Sequence, residues 1–459
     1  DKKDKKGAKP DPGAATAAAA AADKDKPYGD WKKLTKDSEV LKGYFTAYRK
    51  RDNLYLEIRA DQFDKPVLGI FSLARGIGSN FILGGLPLGD HLLEFQRSGD
   101  RVLVIEKNTR FEASKGGPMA KAVDLSLPNS VLASLKVESV QDSTKAVLVD
   151  FANFLVSDVS DLAEALRQST SKSMRFDKER SAMTSAKMFP ENFETEALLT
   201  YSPNDRAGLN LEGVPDERFV AISVHYSFSK LPEVPMQPRL ADERVGYFLT
   251  AKKDFSRDDQ ENFWLRYIDH LRLEKKDPSA ALSEPVKPIV YYIDQTVPVE
   301  YRGYVKQGIE NWQKAFEAAG FKNAIIAKDA PTFEEDPEWD PEDIRYSVVR
   351  WAASLVRNAV GPSTSDPRSG EIIESDITWY HNHMRSYRNR LLIETGASNP
   401  AARTLDTPEE LMGETMRKVV THEVGHALGL PHNMVASSSF PTDSLRKTSF
   451  TRRYGVSAT

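Results

Sequence analysis

The chain has 459 residues, 40% apolar and 28% charged, enough apolar content to build cores and to exclude wholesale disorder. Its 63 Lys+Arg against 67 Asp+Glu leave a net charge of −4, which argues against a nucleic-acid-binding face as the main business. Cys is absent, so disulfides, thiolate metal ligands and a thiol nucleophile are excluded.

At about 150 residues per domain the length suggests about three domains. No apolar run is long enough for a transmembrane helix. The chain opens Asp1-Lys2-Lys3 rather than on Met, which reads as a mature or truncated form. Residues 1–27 are nearly all Lys, Asp, Ala, Pro and Gly and read as a disordered tether.

Strand signals dominate residues 28–274, read as a β-rich N-terminal region of one or two lobes. Gly43–Tyr48 and Leu54–Ile58 flank a polar turn with Asp52-Asn53, the pattern of a hairpin. Further strands are expected at 92–95, 102–105, 146–149 and 219–224, with one helix near Ser160–Gln168. Short polar turns between them suggest antiparallel sheets in sandwiches or open barrels. Gly76-Ile77-Gly78 and Gly84-Gly85 lack phosphate-loop spacing and read as turns or bulges.

Residues 275–288 carry three prolines and read as a linker. The pattern then changes to α/β over 289–459. Strands are expected at 289–293, 324–326, 346–351 and 370–379. Val305, Ile309, Trp312, Phe316 and Ala319 predict a helix of about four turns, ended by Gly320. A second helix is expected from Thr407-Pro408 to Leu428, with Thr407 as N-cap, a capping box to Glu410 and Gly429 left-handed.

Near the end of that helix stand His422-Glu423-x-x-His426-x-x-Gly429-x-x-His432. Residues four apart share a helix face, so two imidazoles can grip one ion. Gly429 turns the chain so that His432 can come back to it. Three neutral imidazoles suit Zn²⁺ and leave a position for water. The ion activates that water and Glu423 serves as general base, the set that peptide hydrolysis needs.

That pattern is the motif of the metzincin zinc metalloproteases. The run Thr421 to Met434, T-H-E-V-G-H-A-L-G-L-P-H-N-M, resembles large bacterial zinc-dependent metalloproteases in which uncharacterised β-rich domains precede a metzincin-like domain. Stretches 76–89, 239–248 (with Val245-Gly246-Tyr247-Phe248) and 361–371 also fit that group. The resemblance implies an α+β multidomain fold, with an antiparallel β-rich N-terminal region and then a metzincin-like α/β catalytic domain of mixed sheet plus active-site helix. It implies a zinc endopeptidase acting on peptide or protein, with one catalytic zinc on His422, His426 and His432. Gly370–Trp379 would be the sheet edge that pairs with substrate. Met434 follows His432 too closely to serve as the clan's methionine turn. The C-terminal subdomain is therefore expected to be missing, and a longer chain to be more active. Secretion or a periplasmic location, with tethering to a membrane surface, is expected by resemblance. The reading from another class is a catalytically weak or inactive peptide-binding module with a zinc site and an exposed sheet edge. No nucleic acid is expected as partner, and the sequence does not give an oligomeric state.

Weaker signals remain. His381 and His383 form an H-x-H pair that would share one side of a strand and, with Asp376 or Asp366, could take a second ion; a solvated or partner-facing loop is the plainer reading. Asp336, Glu338, Asp340, Glu342 and Asp343 would suit calcium, but the spacing favours a solvated turn. His225 reads as a satisfied strand residue, and His91 and His270 show no partner pattern. Asp242 could cap the open zinc position in a latent state or simply pair with an Arg on its loop.

Overall fold

The computed structural model describes residues 28–78, 82–256, 264–354 and 356–458, and the predicted tether lies outside them. The chain forms two compact units: Asp1–Lys107 with Ser130–Phe228, and Asn108–Asn129 with Ser229–Thr459. Among the described residues no helix is long and apolar enough to cross a membrane.

The strands in chain order begin β1 (Glu39–Lys42), β2 (Thr46–Lys50), β3 (Asn53–Ile58), β4 (Pro66–Arg75), β5 (Pro87–Ser98), β6 (Arg101–Glu106) and β7 (Phe111–Glu112). They continue β8 (Ser130–Val140), β9 (Val147–Asp150), β10 (Met174–Met188), β11 (Asn192–Pro203) and β12 (Val220–Lys230). All but β7 join one 11-stranded sheet in the order β1-β2-β3-β9-β8-β6-β5-β4-β12-β11-β10. The sheet curls until its ends meet, where Tyr44 N–H donates to the Phe189 carbonyl at 2.8 Å. Alternation explains the curl's interior. Val220, Ile222, Val224, Tyr226 and Phe228 of β12 are buried in the core, and the residues between them face the other side. Short helices Ala152–Leu155 and Leu162–Thr170 add Phe154, Leu155, Leu162 and Leu166 to the same core. Aromatic rings fill much of it, with Phe151 and Phe228 5.2 Å apart edge to face.

The β2–β3 hairpin forms as expected, with Lys50 opposite Asn53, so its turn is Arg51-Asp52. The glycines at 76–78 and 84–85 lie in the β4–β5 connection, where Ile77 N–H donates to the Ile82 carbonyl at 2.9 Å, and they act as turns.

In the second unit, β13 (Leu249–Asp254), β14 (Trp264–Ile268) and β7 make a three-stranded sheet in the order β14-β13-β7. Further on come β15 (Ile289–Ile293), β16 (Ile325–Asp329), β17 (Ser347–Ala352), β18 (Ala359–Val360), β19 (Thr364–Asp366), β20 (Glu371–Glu374) and β21 (Ile377–Tyr380). Five of these make a sheet in the order β16-β15-β17-β21-β18, parallel except for the last. Helix Val299–Glu310 crosses from β15 to β16 and packs on the long helix Glu409–Ala427. Tyr291, Ile293, Val305, Ile309, Met416, Val420 and Val424 share the core between sheet and helices.

Several expectations need correction. The two compact units divide at Ser229, because β13 pairs with β7 and His270 bridges to Glu371. The expected linker is instead folded back on itself: Lys276 N–H donates to the Glu284 carbonyl at 2.9 Å and Ser283 bridges to Phe321. The four-turn helix is two, Val299–Glu310 and Gln313–Ala318. Trp312, at the break, sends its indole N–H to the Thr421 carbonyl at 2.8 Å. The single strand 370–379 is also two, β20 and β21, in different sheets. At the break the Asp376 carboxylate accepts from Val348 N–H at 2.8 Å and from Arg350 at 2.6 Å. Its second half is not a sheet edge, since β21 is flanked by β17 and β18; the edge is Ala359–Val360.

Candidate metal centre

The long helix carries a buried stripe, Met412, Met416, Val419, Val420, Glu423, Val424 and Ala427, at the three-and-four spacing of one face. Burying that stripe against the sheet leaves His422 exposed and His426 half-buried on the flank. The helix starts at Glu409 with Pro408 as its cap, so the expected capping box does not form and the Thr407 hydroxyl is buried without a partner. It stops at Ala427, with Leu428 as C-cap and Gly429 at φ +100°. A Cβ at Gly429 would stand 2.1 Å from the Asp269 carbonyl oxygen, so a side chain is excluded by contact as well as by conformation.

That turn brings His432 back to the helix. Its Nε2 lies 3.1 Å from His422 Nε2 and 3.2 Å from His426 Nε2. Among the described residues these three form the one group of three or more His, Asp or Glu suited to a metal. The spacing is the test of fit. Nitrogens at about 2.0–2.1 Å from one tetrahedral ion stand about 3.3 Å apart. Neutral imidazole lone pairs that face each other at such distances repel unless a cation or proton lies between them. His426 Nδ1 meets the Leu430 carbonyl at 2.7 Å, so Nδ1 carries the proton and Nε2 is left free as a ligand. Burial, then the two other imidazoles and Lys418, hold His422 below the usual imidazole range, which keeps it neutral and able to ligate. The residues present fit zinc.

Glu423 lies on the buried side at 7% exposure. Burial pushes its carboxyl up to about 7; a hydrogen bond from Gly361 N–H and the nearby His432 oppose that rise. Gly361 follows directly on the edge strand β18. A Cβ there would meet the Glu423 carbonyl oxygen at 2.4 Å, so only glycine lets the strand come this close to the helix. Gly361 and Phe248, whose ring centroid lies 6.1 Å from that of His426, were not singled out as site residues in sequence. Nothing in residue spacing ties either to the motif.

Other candidates stand elsewhere. Asp242 pairs with Arg244 at 2.5 Å, which holds its carboxyl down at about 2, and the exposed pair sits in its own turn. His381 packs on Trp351, whereas His383 packs on Trp379 and Tyr387 and opens the helix His383–Thr395, so the H-x-H pair does not share a strand face. The acidic loop is a series of turns in which Asp336, Asp340 and Asp343 accept from the backbone two residues on; Asp343 is fully buried against Arg345. His225 meets Glu194 at 2.6 Å, His91 meets Glu106 at 2.9 Å, and His270 Nδ1 meets the Leu271 carbonyl at 2.9 Å.

A family model described as Met-zincin matches residues 404–459, which hold the helix, the turn and His432. A second, described as a domain of unknown function (DUF5117), matches residues 85–276. No curated protein and no solved structure matches the chain. The Met-zincin match and the histidine cluster together support a metzincin-like zinc site in a metalloprotease-like domain.

Proposed function

We propose that the chain is a zinc-dependent endopeptidase. The observation that carries this is the convergence of three Nε2 atoms, with a buried carboxylate on the residue next to the first of them. His422, His426 and His432 would hold the ion. Bound there, zinc supplies Lewis acidity toward a carbonyl and makes a water acidic near neutral pH.

The chain's own residues do the rest. Glu423 takes the proton of the attacking water and delivers it to the leaving amine. Its burial suits both halves of that task, since a carboxyl near pH 7 can accept and return a proton. The Gly361 N–H orients the carboxylate. Ala359–Val360, the edge strand, offers free backbone groups to an extended peptide, and pairing there would carry the scissile bond past Glu423. The Leu430 carbonyl fixes the His426 tautomer.

Zinc quantification with product mapping on a peptide library, with and without a chelator, tests the proposal. Internal cuts that vanish on chelation and return with zinc are expected. Zinc uptake without any cutting would favour the peptide-binding module.

A further inference from the structure

The turn that carries His432 is held by a segment far upstream. Phe248 N–H donates to the Gly429 carbonyl at 2.7 Å, and the Phe248 carbonyl accepts from Asp269 N–H at 2.8 Å. Gly246 lies beside Pro431, where a Cβ would meet the proline ring at 3.6 Å. So Gly246–Phe248 runs along 429–431 in the opposite sense. The next residue, Leu249, starts β13 and pairs with Ile268; Thr250 then donates its hydroxyl to Asp269 at 2.7 Å. The segment is therefore anchored in a sheet and pressed against the metal-bearing turn.

The Phe248 side chain points to that site too. Its ring is inclined 45° to the His426 imidazole, 6.1 Å away between centroids, and is 41% exposed. One part of the ring covers a metal ligand and the rest is open. A rigid apolar ring with few rotamers, fixed next to polar chemistry, is the usual wall of a substrate pocket. These residues belong to the stretch matched by the domain of unknown function, whereas the histidines belong to the Met-zincin match. The two matched stretches thus meet in one compact unit, at one site.

We infer that Phe248 is a specificity-determining residue: its ring is the apolar wall against which a substrate side chain beside the scissile bond packs, so the site selects peptides with a large apolar residue there. This rests on the endopeptidase reading. The backbone of Gly246–Phe248 holds the turn, and the ring reads the substrate.

The test uses the full zinc-loaded chain carrying Glu423→Gln, so that peptides bind without being cut. Alanine-based peptides with a single Leu or a single Ser are the probes. Phe248→Ala is expected to weaken the Leu peptide about ten-fold and to leave the Ser peptide within about two-fold. Phe248→Leu, which keeps apolar bulk, should restore most of the preference. Zinc release to a competing chelator is measured on the same proteins. Equal weakening of both peptides, an unchanged Leu preference, or a change confined to zinc release would overturn the inference, the last because the ring would then only brace His426. If the parent chain with Glu423 intact takes up zinc and cuts no peptide, the endopeptidase reading falls, while the binding comparison still decides the role of Phe248.

Discussion

One histidine in the first unit and three in the second differ in physics. In the first unit His225 meets a buried carboxylate, Glu194, which also accepts from Ser227 at 2.5 Å and from Asn192 at 2.6 Å. Hydrogen-bonding capacity is matched there, as buried polar groups require. In the second unit three imidazoles turn bare nitrogens toward one another, and the carboxylate close by in sequence, Glu423, is buried and accepts from the Gly361 N–H. An arrangement that is unfavourable by itself persists where something outside the chain completes it. The contrast separates a histidine that serves the fold from histidines that serve a ligand.

Substitutions can break that contrast. The largest effect is expected for Glu423→Gln, which should lower kcat by about 10²–10⁴-fold while zinc content stays stoichiometric. Retained turnover would remove the carboxylate from its assigned role. Gly429→Ala should come next. The new methyl meets the Asp269 carbonyl and forces the turn to shift, displacing His432. Strain of about 1–3 kcal/mol is expected, with a zinc affinity lower by about ten-fold or more in chelator competition. An unchanged affinity would show that the turn does not set the third ligand.

The pH profile sharpens the same point. Glu423 must be ionised to act as a base, so kcat/KM should fall as pH drops through its acid limb. Burial, opposed by the Gly361 N–H and His432, raises that carboxyl to about 7, and a bound dication favours the ionised form. The limb should therefore lie at or below about pH 7 and be absent from the residual activity of Glu423→Gln. A limb well above that value would contradict the assignment.

The smallest catalytic effect is expected for His225→Ala. It removes a partner of buried Glu194 and should cost about 1–3 kcal/mol of stability in urea unfolding. Turnover per folded molecule should not change. A specific loss of turnover would blur the distinction between His225 and the three histidines of the second unit.

What was legible in the sequence follows the range of the interactions. The i, i+4 pair His422 and His426 and the glycine turn to His432 are local; helix geometry puts the first two on one face, and the spacing to Gly429 marks where the chain turns back. Strands such as 102–105 and 219–224 show in their apolar runs for the same reason. The β-rich first region could be anticipated, but not the closing of its sheet between Tyr44 and Phe189, which depends on residues remote in sequence. The strand break at Ser375-Asp376 depends on Arg350 and Val348, and the helix break at Trp312 on Thr421. Gly361 and Phe248 reach the site only through tertiary packing. A one-dimensional reading therefore anticipated that the three histidines come together but mistook which strand forms the sheet edge.

X-ray absorption at the zinc edge of the reconstituted chain tests the convergence most directly. Three imidazole nitrogens at about 2.0–2.1 Å and one light oxygen atom from solvent are expected, with one zinc per chain, and His432→Ala should lower the nitrogen number. A fourth ligand from the protein, or a chain that takes up no zinc while folded, would contradict an open catalytic site.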